Sequence, residues 1–163
     1  MATILTPVTK DEKEILRSLL EKYNYDFSQY DKRDVNDLGL FGYDYLDNYW
    51  TEENRFPYFI KVNSKLAGFV MVNDYPEVKS DTNYTMSEFF IMYKYRQKGI
   101  GKYVVKYIFN KYKGKWQLTY LPNNETAKSF WNKIVNEYTN GKYETHKIKT
   151  KYDTVEDVLV FET

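Results

Sequence analysis

Hydrophobic and polar positions change period several times along this chain. Ala2 to Val8 alternates loosely and predicts a first strand. Thr9-Lys10-Asp11-Glu12 is a capping-box pattern, in which the Thr hydroxyl and the Glu carboxylate satisfy N–H groups orphaned at a helix start. Ile15, Leu16, Leu19, Leu20 and Tyr23 then fall at helical spacing and predict a first helix with one apolar face. Residues 24–57 are less regular. Twelve aromatics run from Tyr23 to Phe59, mixed with Asp26, Asp31, Asp34, Asp37, Asp44, Asp47, Glu52 and Glu53 and punctuated by Gly39 and Gly42. A second helix is expected over Tyr43 to Glu53, in a segment that covers one end of a sheet.

Tyr58 to Val62 and Leu66 to Val72 read as two apolar strands around a hairpin turn at Asn63-Ser64-Lys65. Asp74 to Asn83 is a polar loop with Pro76, and Tyr84 to Met92 is the fourth strand. Tyr103 to Tyr112 is periodic as a helix and stops at Gly114, a residue suited to the position after a helix end. Trp116 to Leu121 is a strand, and Pro122-Asn123-Asn124 leads into a helix from Glu125 to Tyr138. Two strands close the chain, Lys142 to Thr150 and Thr154 to Phe161, joined by a turn at Tyr152-Asp153. The order β-α-α-β-β-β-α-β-α-β-β predicts an α/β protein of the α+β type. Its sheet of about seven strands is mixed and mostly antiparallel, flanked by about four helices.

Composition narrows the classes. At 163 residues, a single domain over 1–163 is expected, large enough to bury a full core. There is no cysteine, which excludes disulfides and thiolate metal sites, and the one histidine, His146, lacks the companions of a zinc site; no metal is expected. No apolar run approaches about 18 residues, so a cytoplasmic protein without membrane association is expected. The net charge of +1 gives no argument for nucleic acid, and the Lys/Tyr-rich stretch Lys142 to Lys151 does not outweigh it. Its distribution is uneven. Residues 1–90 carry 10 Lys/Arg against 16 Asp/Glu, and residues 91–163 carry 14 against 7. That asymmetry suits a cationic substrate on one side and a polyanion on the other, and equally two differently charged solvated faces.

The chemistry concentrates at Tyr95-Arg96-Gln97-Lys98-Gly99-Ile100-Gly101-Lys102, between the fourth strand and a helix. A Gly-rich turn into a helix N-terminus brings unpaired N–H groups and the helix dipole against an anion. A Walker A loop fits worse, because Gly101-Lys102 is followed by Tyr103 where that loop needs Ser or Thr. A dinucleotide fingerprint fits worse as well, because only two glycines are present and Lys111 to Lys115 is basic.

Arg96 to Gly101 resembles the R/Q-x-x-G-x-G/A pyrophosphate loop of the GNAT N-acetyltransferases. Two further segments carry the same resemblance. Asn124-Glu125-Thr126-Ala127-Lys128-Ser129-Phe130-Trp131-Asn132-Lys133 is similar to the family's N-x-x-A-x-x-[LF]-Y-x-K segment, and Leu66-Ala67-Gly68-Phe69 to its third-strand signature. The element order is also that of the family, so the resemblance spans nearly the whole chain.

The resemblance implies the GNAT acyl-CoA N-acyltransferase fold, acetyl-CoA as co-substrate, and direct attack of an amine on the thioester. It implies that backbone N–H groups of Gln97, Lys98, Gly99, Ile100, Gly101 and Lys102 hold the pyrophosphate, with Arg96 and Lys98 adding charge. Phe90, Ile91 and Met92 would pair with the pantetheine amides, and Asn124, Ala127 and Phe130 would line the arm. Asn124 also reads as an ordinary helix N-cap. Glu88, four residues before Met92 on the same strand face, takes the place of the general base, with Asp34, Asp37, Asp44 and Glu52 as alternatives. An N–H near Met92, unpaired in the sheet, would serve the oxyanion.

Trp131 stands where the family carries a Tyr acid. Indole can donate a hydrogen bond but no proton at neutral pH, which leaves Tyr120 or Tyr138 as substitutes and a core aromatic as the plain reading of Trp131. The acceptor is expected to be a small-molecule amine, cationic if Tyr25, Tyr30, Tyr43, Tyr45, Tyr49, Trp50 and Tyr58 gather around it. A peptide or protein N-terminus is an alternative acceptor, and an acyl-CoA-binding regulator without turnover an alternative function. A monomer or homodimer fits.

Overall fold

A computed structural model of the chain describes residues 2–78, 81–150 and 153–163. Seven strands form one sheet: β1 (Thr3–Pro7), β2 (Phe56–Val62), β3 (Lys65–Asn73), β4 (Tyr84–Ile91), β5 (Lys115–Tyr120), β6 (Tyr143–Lys149) and β7 (Val155–Glu162). The spatial order is β1-β2-β3-β4-β5-β7-β6. β1–β2, β2–β3, β5–β7 and β6–β7 pair antiparallel, while β4 and β5 run parallel over Tyr84–Met86 and Trp116–Leu118. The helices are α1 (Lys13–Asp31), α2 (Asn48–Thr51), α3 (Ile100–Lys111) and α4 (Glu125–Thr139). Element order and sheet type are those the hydrophobic pattern predicts. Of the expected turn at Tyr152-Asp153, Tyr152 lies outside the described residues, as do Lys79 and Ser80 of the polar loop and Lys151 of the basic stretch.

The chain forms two compact units, Met1–Val72 with Glu88–Lys98, and Asn73–Ser87 with Gly99–Thr163. In the first, the capping box precedes α1 through a short 3₁₀ turn, Lys10–Glu12. The Glu12 carboxylate accepts from both the backbone N–H and the hydroxyl of Thr9, at 3.1 and 3.0 Å. Leu16, Leu19 and Leu20 of α1 are buried against Leu46, Phe59, Phe69, Met71 and Phe90. Ile15, expected on that face, is 44% exposed: it lies beyond the Leu19 edge of the Leu16–Leu19–Leu20 stripe, about 90° from the stripe's centre. The β2–β3 hairpin closes on two residues, Asn63 (φ 49°) and Ser64 (φ 67°), with Val62 paired to Lys65. Two left-handed residues give the type I′ twist that matches the strands.

The second helix is shorter than Tyr43 to Glu53. Gly42 (φ 73°) and Tyr45 (φ 68°) are left-handed and incompatible with a helix there, so only Asn48–Thr51 forms. The preceding loop is tied to α1 instead. Glu21 accepts N–H bonds from Phe41 and Gly42, both 2.9 Å, and Asn24 donates to the Gly42 carbonyl at 3.3 Å.

In the second unit, Phe109 of α3 packs edge-on to Trp116 and Phe161 at 5.1 and 5.2 Å, and Ile134 and Val135 of α4 are buried. Buried Gln117 holds the loop before β4. It accepts from the N–H groups of Glu77 and Val78, and donates to the Val78 carbonyl and the Thr82 hydroxyl.

Candidate active site

Glu88 lies on β4, half-buried. Its carboxylate accepts from the Tyr43 hydroxyl at 3.3 Å and from the hydroxyl of Tyr23 on α1. Burial first, and the adjacent Glu88 carboxylate second, hold the Tyr23 hydroxyl well above the usual phenol range. Tyr23 therefore stays protonated and donates. Its ring packs against Phe69 and Phe90 at 5.6 and 5.8 Å, which fixes the direction of that O–H. The anchored loop described above delivers Tyr43. Glu88 is thus an oriented carboxylate with an aromatic surround, which neither strand alternation nor its spacing from Met92 reveals.

Three residues downstream, the β4 end departs from what the family resemblance implies. The Met92 N–H donates to the Ala67 carbonyl at 2.8 Å, so it is spent on the neighbouring strand and is not the unpaired oxyanion donor expected. The Ile91 carbonyl accepts from Arg96 Nε at 2.6 Å. The Phe90 carbonyl points at Gly68, where an added Cβ would lie 1.9 Å from the oxygen. Only glycine tolerates that approach.

Arg96 also differs from expectation. Besides Ile91, its guanidinium pairs with Asp26 of α1 at 3.1 Å and stacks over Tyr93 at 4.3 Å. The Tyr93 hydroxyl bonds the other Asp26 oxygen. These partners tie the Arg96 side chain to β4 and α1. Gln97 follows at φ 57° and Gly99 at φ 78°, two left-handed residues that turn the backbone into α3. Gln97, Lys98 and Gly99 are exposed, and Lys98 has no ion-pair partner among the described residues.

In the second unit, α3 begins at Ile100, three residues before the periodic segment suggests, with Gly99 as its N-cap. Gly101 and Lys102 therefore belong to the first helical turn, and Lys102 pairs with Glu137 at 2.8 Å. Asn124 caps α4 by accepting the Ala127 N–H at 3.1 Å. Ala127 and Phe130 are partly exposed, whereas Trp131 is buried and packs edge-on to Phe130 at 4.8 Å. The two phenols weighed as substitutes for an acid separate clearly. Tyr138 commits its proton to Asn110 at 2.6 Å. Tyr120 accepts from Asn132 at 2.7 Å, and its own proton has no acceptor among the described residues. Burial raises the Tyr120 pKa, so it is protonated at neutral pH.

A family model for the acetyltransferase (GNAT) family matches residues 13–135. The chain belongs to that family. No curated protein matches it by sequence. Among solved structures, the GNAT acetyltransferase of Streptococcus agalactiae 2603 is similar at 12% identity and a TM-score of 0.72, covering 99% of this chain and 95% of its own. An acetyltransferase of Thermus thermophilus is similar at 15% identity and a TM-score of 0.68, over 100% and 98%. A GNAT acetyltransferase of Elizabethkingia anophelis, with acetyl-CoA bound, is similar at 17% identity and a TM-score of 0.59, over 99% and 98%. These likenesses establish the GNAT fold.

For this GNAT acetyltransferase, the aromatics of the first half do not gather as one cationic surround. Tyr25 and Tyr45 are 68% and 69% exposed, Tyr49 and Tyr58 are buried, and Trp50 donates to the Val8 carbonyl. Of that set, Tyr43 reaches Glu88. In the sequence, Tyr23 and Asp26 read only as a core tyrosine and one of many carboxylates. The signal that distinguishes them is their spacing: three residues apart, they share one face of α1. His146 is exposed on β6 and pairs with Glu144, an ordinary strand residue. Among the described residues no helix is long and apolar enough to cross a membrane.

Proposed function

We propose that this protein is an acetyl-CoA-dependent N-acetyltransferase acting on a primary amine of a small molecule, with Glu88 as the general base. The observation that carries this reading is the oriented, half-buried Glu88 carboxylate held by the hydroxyls of Tyr23 and Tyr43. An alkylammonium of pKa about 10.4 is almost entirely charged at pH 7, and deprotonating it costs about 4–5 kcal/mol. A carboxylate attracts that cation and accepts its proton directly or through one water.

The neutral nitrogen then attacks the thioester carbonyl of acetyl-CoA and a C–N bond forms; as the C–S bond breaks, CoA departs as thiolate and the nitrogen's surplus proton passes to that thiolate or to water, leaving the amide and CoA. A thiol of pKa about 8.5 is a tolerable leaving group without full protonation, so the indole of Trp131 does not preclude turnover. Tyr120 is the phenol with a proton to give. On the donor side, backbone N–H groups of Gln97 to Lys102 and the exposed Lys98 ammonium would hold the diphosphate. Phe90, Ile91, Asn124, Ala127 and Phe130 are assigned to the pantetheine arm.

Thiol release from acetyl-CoA, measured with a panel of polyamines, aminoglycosides, amino acids and peptides, tests the reading. Turnover restricted to small amines supports it, and turnover only on peptides replaces the acceptor. CoA binding without turnover on any amine makes the protein a regulator.

A further inference from the structure

Given acetyl-CoA as donor, we propose that Arg96 is a positioning residue that sets the shape of the diphosphate loop, and that Asp26 on α1 is its anchor. Arg96 closes the 3₁₀ turn Tyr93–Tyr95, its N–H donating to the Tyr93 carbonyl at 3.2 Å. Its side chain reaches back across that turn to the Ile91 carbonyl at 2.6 Å, so one residue clamps both ends. The Asp26 carboxylate binds Arg96 through one oxygen and Tyr93 through the other, and the guanidinium lies over the Tyr93 ring at 4.3 Å. The planar fork of arginine makes all of these contacts together; a point charge could not.

The loop's first left-handed residue, Gln97, follows the clamp directly, so clamp geometry determines where the next N–H groups point. Moving Arg96 to a phosphate would break its ion pair with Asp26 and its bond to the Ile91 carbonyl. Lys98, one residue beyond Gln97, is exposed and carries no such obligation. Asp26 also lies three residues after Tyr23 on α1, whose hydroxyl orients Glu88. One helix face therefore holds both the proposed base and the entry to the donor loop.

The two roles for Arg96 predict opposite outcomes for Asp26→Asn. If Arg96 serves phosphate, releasing it leaves CoA affinity unchanged or improved. If it is the clamp, CoA binding by calorimetry weakens about tenfold, the size of one lost charge-assisted hydrogen bond. Arg96→Lys should then weaken binding like Arg96→Gln, and Asp26→Asn/Arg96→Gln should be no worse than the weaker single variant, because one device has been removed once. The salt dependence of CoA binding should stay at the wild-type slope in Arg96 variants and flatten in Lys98→Ala. Tyr93→Phe removes only an exposed hydroxyl and should weaken binding by about threefold, which guards against misfolded variants.

Hydrogen exchange of the amides of residues 97–102 without CoA provides a readout independent of function. It should speed up in Asp26→Asn. Wild-type affinity in Asp26→Asn, full retention in Arg96→Lys, or unchanged exchange at the loop overturns the proposal. Wild-type protein that does not bind CoA would instead remove the acetyl-CoA reading, with the exchange result still deciding the clamp.

Discussion

Gly68→Ala adds one methyl group at the tightest backbone approach beside the proposed site. The new Cβ would sit 1.9 Å from the Phe90 carbonyl oxygen, 2.9 Å from its carbon and 3.1 Å from Ile91 Cα. Ordinary contact begins above about 3 Å, so β3 and β4 must separate by roughly 1 Å, and the obstacle is backbone that no rotamer change can move. Alanine gains about 0.4–1 kcal/mol by reducing unfolded-state freedom, whereas forced overpacking costs about 1–3 kcal/mol and more where backbone must move. The clash wins, with a net loss of about 2 kcal/mol or more. At about 2–4 °C per kcal/mol for a chain of this size, the melting temperature falls by about 4–8 °C. The displaced segment contains Phe90 and Ile91, so acetyl-CoA affinity should fall as well. Thermal unfolding followed by circular dichroism, paired with CoA calorimetry on the folded variant, measures both. A melting temperature equal to or above wild type would refute the reasoning, because the sign depends on the contact at Phe90.

Glu88→Gln keeps the side-chain shape and removes the base, and turnover should fall by about 10²–10⁴ while CoA affinity stays within about twofold; steady-state turnover equal to wild type would take Glu88 out of the reaction. Gly101→Asp places an anion in the first turn of α3, where the helix dipole favours it, so the melting temperature should hold while CoA binding weakens by about ten- to a thousandfold through like-charge repulsion. Calorimetry that finds unchanged CoA affinity would remove the diphosphate from this loop. Burial first, and Glu77 second, hold the Glu156 carboxyl above its usual range. A raised acid binds its proton more tightly in the folded state, so its ionisation subtracts stability as pH rises from the unfolded pKa through the folded one. Glu156→Gln should therefore raise the melting temperature at pH 7 and lose that gain below about pH 4, where both states are protonated; an equal gain at both pH values would contradict it.

The elements with clear hydrophobic periods were legible in the sequence, and their order with them. Leu16, Leu19 and Leu20 specify a helix face because burial rewards 3.6-residue spacing, and β2 and β3 specify a hairpin because the apolar runs bracket a two-residue turn. The segment from 32 to 47 was not. Its course depends on left-handed backbone at Tyr45 and on Glu21 capturing two N–H groups about twenty residues away. Neither leaves a periodic mark. Aromatic residues from Tyr25 to Tyr58 read as a substrate surround, but Tyr49 and Tyr58 are buried and Tyr25 and Tyr45 face outward.

The candidate site divides along the same line. Residue types and spacing brought out Glu88 and the Gly loop, since those features sit within a few positions of one another. Partners did not appear, because Tyr43 and Glu88 are 45 residues apart and Asp26 and Arg96 are 70 apart. A motif assigns an arginine to an anion by its place in a pattern, and says nothing about which acceptors the fold has already given it. Met92 makes the same point for a backbone group: its N–H matches the family position for an oxyanion donor, yet the Ala67 carbonyl takes it. The test for such a site is therefore an inventory of donors after folding. By that inventory Arg96 and Met92 are committed within the protein. Lys98 and the loop amides remain the groups through which this acetyltransferase would hold its donor.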